Sequence, residues 1–412
     1  MVPKLNLVAL AVMALYTAIA SADEPGTSIF SLRSFGTLGI VHSSESKADY
    51  SPSFFKPNGP GYSRSWSADV DSLIGVQVTG NFTPQLSAVL QVISEQRYDN
   101  SYSPYVEWAN IKYQFTPDFS ARIGRTVLPA FLNSDSRKVG YTTAWVRPPT
   151  EVYSLVPVSN LDGMDLSYRF YVGELSNTVQ GNYGQSDSRL PGNAGKALAR
   201  ELWGIANTTQ YGAFTTHFAY QKGLVSVEPL NAFFDFFRYF GAEGNALADR
   251  YDPKLEPIEF IGVGASYDPG EWFLMSEWGR NAFRSGLIAR SGWYVSGGYR
   301  LDAFTPYVTF ARSRAESESS TAGLTASALP PFLAGAATSL NGALNSILQS
   351  NAGQQTLSVG VRWDFTKNMD AKLQFDHTRL DTGATGRLIN AQPDFEPGGS
   401  FNILSLAVDF VF

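Results

Sequence analysis

The sequence predicts an all-β fold, a transmembrane antiparallel β-barrel of about sixteen strands with short periplasmic turns and long external loops. Three observations predict it. Residues 404–412 alternate Leu404, Leu406, Val408, Phe410 and Phe412 against Ser405, Ala407, Asp409 and Val411. A strand sends successive side chains to opposite faces, so this stretch has one greasy face and one mostly small or polar face. Similar alternating runs recur along the chain, and the connections between them alternate strictly between short and long. The third observation is the N-terminal order of Lys4, a largely apolar run over 5–20 and small residues at Ala18, Ala20 and Ala22, which predicts a secretory signal peptide. Cleavage is expected after Ala22, with Ala20 as the alternative. Residues 1–22 are then a leader and 23–412 a single barrel domain, exported through the periplasm to the outer membrane.

Composition agrees with that compartment. The mean hydropathy of -0.12 fits a soluble protein or a barrel, because barrel strands dilute apolar residues with polar ones, so periodicity has to decide. Beyond the leader no stretch has the apolar length of a membrane-spanning helix. Cysteine is absent, which removes disulfides and thiolate metal sites. His42, His217 and His377 are far apart in sequence, so a multi-histidine metal site is not expected and no cofactor is implied. The formal charge of -6 argues against a nucleic-acid partner.

Strands are expected near 35–44, 73–80, 86–97, 106–115, 121–130, 164–171, 176–184 and 202–210. The second half continues near 214–224, 260–267, 272–281, 292–301, 307–313, 356–365, 371–380 and 403–412. The short connections carry one kind of signal, as in Asn81-Phe82-Thr83-Pro84, Gln114-Phe115-Thr116-Pro117 and Tyr267-Asp268-Pro269-Gly270. Asn, Asp, Pro and Gly supply turn geometry, and the flanking aromatics suit a membrane interface. A soluble sandwich has no reason to sort its loops by length in this way.

Facing follows from alternation. Leu357, Val359, Val361, Trp363 and Phe365 oppose Ser358, Gly360, Arg362 and Asp364. Met164, Leu166, Tyr168 and Phe170 oppose Asp165, Ser167 and Arg169. A charge on the lipid face near the midplane costs roughly 2–4 kcal/mol, so the charged sets must point inward to a wet lumen.

On these features the chain resembles the Gram-negative general and substrate-specific porins. The resemblance rests on the strand–turn–strand–loop rhythm, the opening strand Phe35-Gly36-Thr37-Leu38-Gly39-Ile40-Val41, the stretch Asp71-Ser72-Leu73-Ile74-Gly75-Val76-Gln77-Val78, and the Phe412 ending. It implies a 16-stranded barrel, usually a homotrimer, with the third loop folded into the pore as a constriction, and Phe412 as an assembly signal.

A pore for small hydrophilic solutes or ions needs a narrow place with placed charges rather than a catalyst. The candidate constriction is the loop 132–162, with Asp135, Arg137, Lys138, Arg147 and Glu151, stiffened by Pro148, Pro149 and Pro157. The facing wall is expected to carry Lys112, Arg122, Arg169, Arg300, Arg362 and Lys372, with Glu95, Asp165, Asp364 and Asp376 among them. Basic wall against loop carboxylates makes a transverse field; mutual salt-bridging leaves little. The basic excess points to anion preference.

Two further segments show helical spacing. In 231–241, Phe233, Phe236, Phe237 and Phe240 recur; in 339–349, Leu340, Leu344, Ile347 and Leu348 share a face. They are expected to pack on each other or the barrel rim, or else to form a greasy vestibule for aromatic or apolar solutes. Competing functions are a channel specific for aromatic or anionic solutes, a surface receptor or adhesin, and a barrel enzyme. The last needs a nucleophile beside a base, and neither a His-x-Ser-Asn element nor a Gly-x-Ser-x-Gly elbow accompanies the histidines.

Overall fold

The computed structural model describes residues 28–285, 287–318, 320–349 and 353–412. The leader read over residues 1–22 lies outside the described residues.

Sixteen long strands follow one another around a closed antiparallel barrel. The first eight are β1 (Phe30–Ser43), β2 (Leu73–Asn81), β3 (Leu86–Glu95), β4 (Tyr105–Thr116), β5 (Phe119–Val127), β6 (Asn160–Val172), β7 (Leu175–Arg189) and β8 (Lys196–Tyr211). The others are β9 (Phe214–Val227), β10 (Glu256–Tyr267), β11 (Trp272–Phe283), β12 (Ala289–Tyr299), β13 (Phe304–Ala315), β14 (Gln354–Thr366), β15 (Met369–Leu380) and β16 (Ser400–Val411). Each strand pairs with its sequence neighbours. The ring closes at β1, whose first half pairs with β2 from Phe30↔Gly80 to Thr37↔Leu73. Its second half pairs with β16 from Phe35↔Val411 to Ser43↔Ile403. Every expected strand has its counterpart.

The pleat sorts side chains as alternation predicts. Ile111, Ile123, Met164, Leu166, Leu357, Val359 and Phe375 are exposed on the outer face. Their neighbours Asp165, Ser358, Gln374 and Asp376 are buried toward the inside. No helix among the described residues is long and apolar enough to cross a membrane.

Two of the short turns share a hydroxyl cap. The Oγ1 of Thr83 accepts the Leu86 N–H at 2.9 Å, and that of Thr116 accepts the Phe119 N–H at 3.1 Å. Between Leu301 and Phe304 two backbone bonds of 2.7 and 2.9 Å close a tight turn with Asp302 at φ 52°, a left-handed conformation that Asp tolerates. Aromatic rings flank these turns: Phe115 with Phe119 at 5.2 Å, Tyr267 with Trp272 at 5.3 Å, Phe304 with Trp363 at 5.9 Å. They form the girdle expected at a membrane interface.

Several strands run longer than expected, β1 from Phe30 and β6 from Asn160 among them, and two differences are instructive. β5 leaves the wall at Val127 rather than 130, because Leu128 and Ala130 turn into the apolar core of the following loop. The β7–β8 hairpin is longer than expected and leaves only residues 190–195 as its connection. The end of β7, Gln185-Ser186-Asp187-Ser188-Arg189, is polar on both faces, and β8 carries a register shift between Arg200 and Trp203, so hydrophobic alternation did not reveal them.

Among the described residues four α-helices interrupt the loops: α1 (Thr150–Tyr153), α2 (Glu228–Arg238), α3 (Gly241–Tyr251) and α4 (Pro331–Gln349). Phe234, Phe237, Ala248, Leu344 and Leu348 bring the last three together in one apolar cluster. The Phe-rich and Leu-rich segments therefore pack on each other. A second cluster unites the first and last long loops at the same end, through Ala48, Tyr50, Val70, Ala384 and Leu388.

Candidate functional site

The long connection between β5 and β6 does not stay outside. It folds into the barrel and docks on the inner wall. Leu128, Phe131, Trp145, Val152, Tyr153 and Leu155 pack against Leu202, Ala219, Phe260, Tyr294 and Tyr307 of the far strands. Two glycines permit the approach: a Cβ at Gly292 would collide with the Glu151 carbonyl, and one at Gly140 with the Asp409 carboxylate.

Polar bonds fix the dock. Glu277 on β11 accepts the Leu132 N–H at 2.9 Å, the Tyr153 hydroxyl at 2.7 Å and the Tyr294 hydroxyl at 2.8 Å. The Trp145 indole N–H donates to Ser296 Oγ at 2.8 Å. Arg147 donates two bonds to Asp71, of 2.9 and 2.6 Å, one to Asp376 at 3.2 Å and one to Ser405 Oγ at 2.6 Å. Burial opposes the Arg147 charge, but Asp71 and Asp376 outweigh it and hold the guanidinium well above its ordinary value. Glu151 accepts from Gln354 at 2.7 Å and Thr356 at 2.6 Å. Arg137 braces the loop from within, donating to the carbonyls of Tyr153 at 2.8 Å and Val156 at 2.9 Å.

The expected wall residues divide into two groups. Arg362 and Lys372 point inward, but the loop covers them. Lys372 bonds Asp409 at 2.8 Å and the carbonyls of Gly140 and Trp145 at 2.7 and 3.0 Å. Arg362 bonds Asp364 at 2.7 Å and the Tyr141 carbonyl at 2.6 Å. On this side Arg147 of the loop meets Asp376 of the wall and Asp71 just before β2, while the wall cations Arg362 and Lys372 bond loop carbonyls rather than loop carboxylates.

The second group lies on β4–β6. Arg122 is paired with Asp165 at 2.7 Å. Lys112 and Arg169 make no ion pair among the described residues, and Arg169 is exposed. From the loop, exposed Asp135 lies within electrostatic reach of Arg122 and Asp165. Arg300 stands apart at the turn rim, clamped to Asp268 at 2.7 Å. Lys138 crosses to Glu95 on β3, which also faces Lys56 at 3.9 Å. Phe412 still belongs to the closing ladder, exchanging backbone bonds of 2.7 and 2.8 Å with Ser34.

Sequence reasoning did not single out Asp71, Glu277, Asp370 and Asp409 as site residues. Asp71 and Glu277 meet the third loop far along the chain, through Arg147 and Tyr153, Asp409 meets Lys372, and Asp370 lies beside Arg362 and Lys372. The signal was available in Asp409, the lone charge in an otherwise uncharged final strand.

No protein-family model matches the sequence, and no curated protein matches it. Among solved structures, OmpF of Salmonella typhi in complex with daunomycin is similar at 12% identity, covering 93% of this chain and 97% of that one, with a TM-score of 0.56. The outer membrane channel DcaP of Acinetobacter baumannii is similar at 10% identity, over 93% of this chain and 97% of that one, with a TM-score of 0.55. The anion-selective porin of Comamonas acidovorans is similar at 10% identity, over 93% of this chain and all of that one, with a TM-score of 0.52. At such identities the likeness is one of fold. The closed antiparallel barrel of sixteen strands is thus a fold this chain shares with Gram-negative outer-membrane porins.

Proposed function

We propose that this chain is an outer-membrane pore for passive diffusion of small hydrophilic solutes or ions, with its third long loop as the constriction. The observation that carries the reading is the inward-folded loop, pinned to one side of a closed barrel and facing the charges of β4–β6 across the other. Solutes pass between Asp135 and the strip formed by Lys112, Arg122 and Arg169. A stiff aperture with placed charges selects by size and sign and needs no catalyst or cofactor. The three histidines fit a non-enzymatic role. His42 bonds the Ser65 carbonyl, His217 bonds Thr208 and His377 bonds Asn402, none of them as part of a nucleophile–acid array. The apolar outer face and the aromatic girdle support an outer-membrane location, reached through cleavage of the leader after Ala22. Assembly as a homotrimer with Phe412 as the recognition element completes the proposal.

The test is single-channel recording in planar bilayers, with reversal potential under a salt gradient. Conductance in steps of three with anion preference is expected. Removing residues 141–153, with heat-modifiable gel migration as the control for folding, should raise conductance. Folded protein that gives no steps, or a deletion that leaves conductance unchanged, overturns the pore or the constriction respectively.

A further inference from the structure

Between the docked loop and the long-loop end lies a cavity of about 540 Å³. Its wall is greasy: Leu155 and Val156 from the docked loop, Leu198 and Leu202 from β8, Phe260 from β10 and Phe283 from β11. Small-molecule sites are typically apolar clefts of this size with a few convergent polar groups. Two of the polar groups are arginines. Arg290 lies at the start of β12, and Arg387 in the loop between β15 and β16.

Neither arginine has a carboxylate within ion-pair distance among the described residues, and the Nε–H of each lacks an acceptor. Among the described residues the Arg387 guanidinium makes only a long 3.5 Å contact to the Pro52 carbonyl, and the two guanidinium groups repel each other. The other charges nearby are already engaged. Lys222, also at the cavity, is bound to Glu259 at 2.9 Å, and Glu151 is bound to Gln354 and Thr356. Elsewhere inside the barrel, Arg147 is paired with Asp71 and Asp376, and Arg137 is satisfied by loop carbonyls. A like-charged pair in an apolar pocket is costly unless an anion joins it.

We propose that this cavity is a binding site for an amphipathic monoanion, whose apolar body fills the pocket while its carboxylate bridges Arg290 and Arg387. Arg387 also borders an adjoining polar cavity of about 380 Å³, where Lys56 and Lys138 are held by Glu95 and where Arg97, Arg189, Glu107 and Asp187 add to the charged lining. The anionic head therefore sits where the greasy and wet spaces meet. This assignment rests on the pore reading for access from outside. Calorimetry on protein embedded in lipid nanodiscs detects the site even where no ion current flows.

The probe is 4-phenylbutyrate, with 4-phenylbutanol as the uncharged equivalent and acetate as the charge without the body. Phenylbutyrate is expected to bind at least tenfold more tightly than either control. Arg290→Gln and Arg387→Gln should each weaken it about tenfold, and the double variant about a hundredfold. Leu198→Glu, which supplies a carboxylate from the wall, should abolish binding while leaving both arginines in place. Phenylbutanol binding as tightly as phenylbutyrate, or undiminished phenylbutyrate binding by either single variant or by Leu198→Glu, overturns the proposal. Ion conductance that persists while phenylbutyrate fails to bind rejects this site and leaves the pore reading intact.

Discussion

The inner faces of β14–β16 and of β4–β6 are built by the same alternation, yet their charges meet different fates. On β14–β16, Arg362, Lys372 and Asp376 are covered by the docked loop and bonded to it. On β4–β6, Arg122 pairs with Asp165, and Lys112 and Arg169 make no ion pair among the described residues. Strand periodicity decides that a charge points inward. Whether it acts on solutes or locks the architecture is decided by where the loop lies down.

The largest expected effect comes from unlocking the covered side. Arg147→Met leaves Asp71 and Asp376 buried without their cation and should cost roughly 3–5 kcal/mol, read from heat or urea unfolding on gels. Channel recordings of the surviving protein should show a noisier aperture. If stability is unchanged, the two faces do not differ as described. Next in size is Gly292→Val, whose side chain strikes the Glu151 carbonyl. It should cost about 1–3 kcal/mol and loosen the loop, with increased protease cutting within residues 132–159 as the check. The open side responds oppositely. Lys112→Gln with Arg169→Gln should shift reversal potential toward cations, with stability within about 0.5 kcal/mol of the parent.

The smallest effect is a pH dependence. Burial pulls the Lys56 ammonium below its ordinary value, and Glu95 only partly opposes this. Lys56 therefore loses its proton before exposed lysines do, as pH rises toward the lysine range. Because the lost charge is positive, selectivity should move toward cations on that rise. Lys56→Gln should remove the shift, and a shift that persists in this variant assigns it to another group.

Much of the barrel was legible because a lipid-facing strand has a strict two-residue rule. Leu357, Val359 and Trp363 declare their side in sequence, and the Thr and Pro turn signals mark the ends. The docking was not legible. Arg147 meets Asp71 and Asp376 across 76 and 229 residues, and local spacing carries no trace of such pairings. The charged residues of the third loop could be named as a set, but not sorted. Arg137 braces the loop, Arg147 and Glu151 anchor it, and Asp135 is left facing the lumen. The run through 127–130 misled for a related reason. Apolar residues that leave a barrel wall for an interior loop look like more strand until their partners are known.

The seam at β1 has a consequence for how long the barrel lasts. Because β1 divides its length between β2 and β16, no strand in the ring offers a free edge at which separation could begin. In lipid an opened edge would strand a whole row of backbone groups without water. Opening must therefore break many bonds together, and the survival of the folded barrel is governed by the height of that barrier more than by the balance of its contacts. Its apparent melting temperature should then climb with the rate of heating.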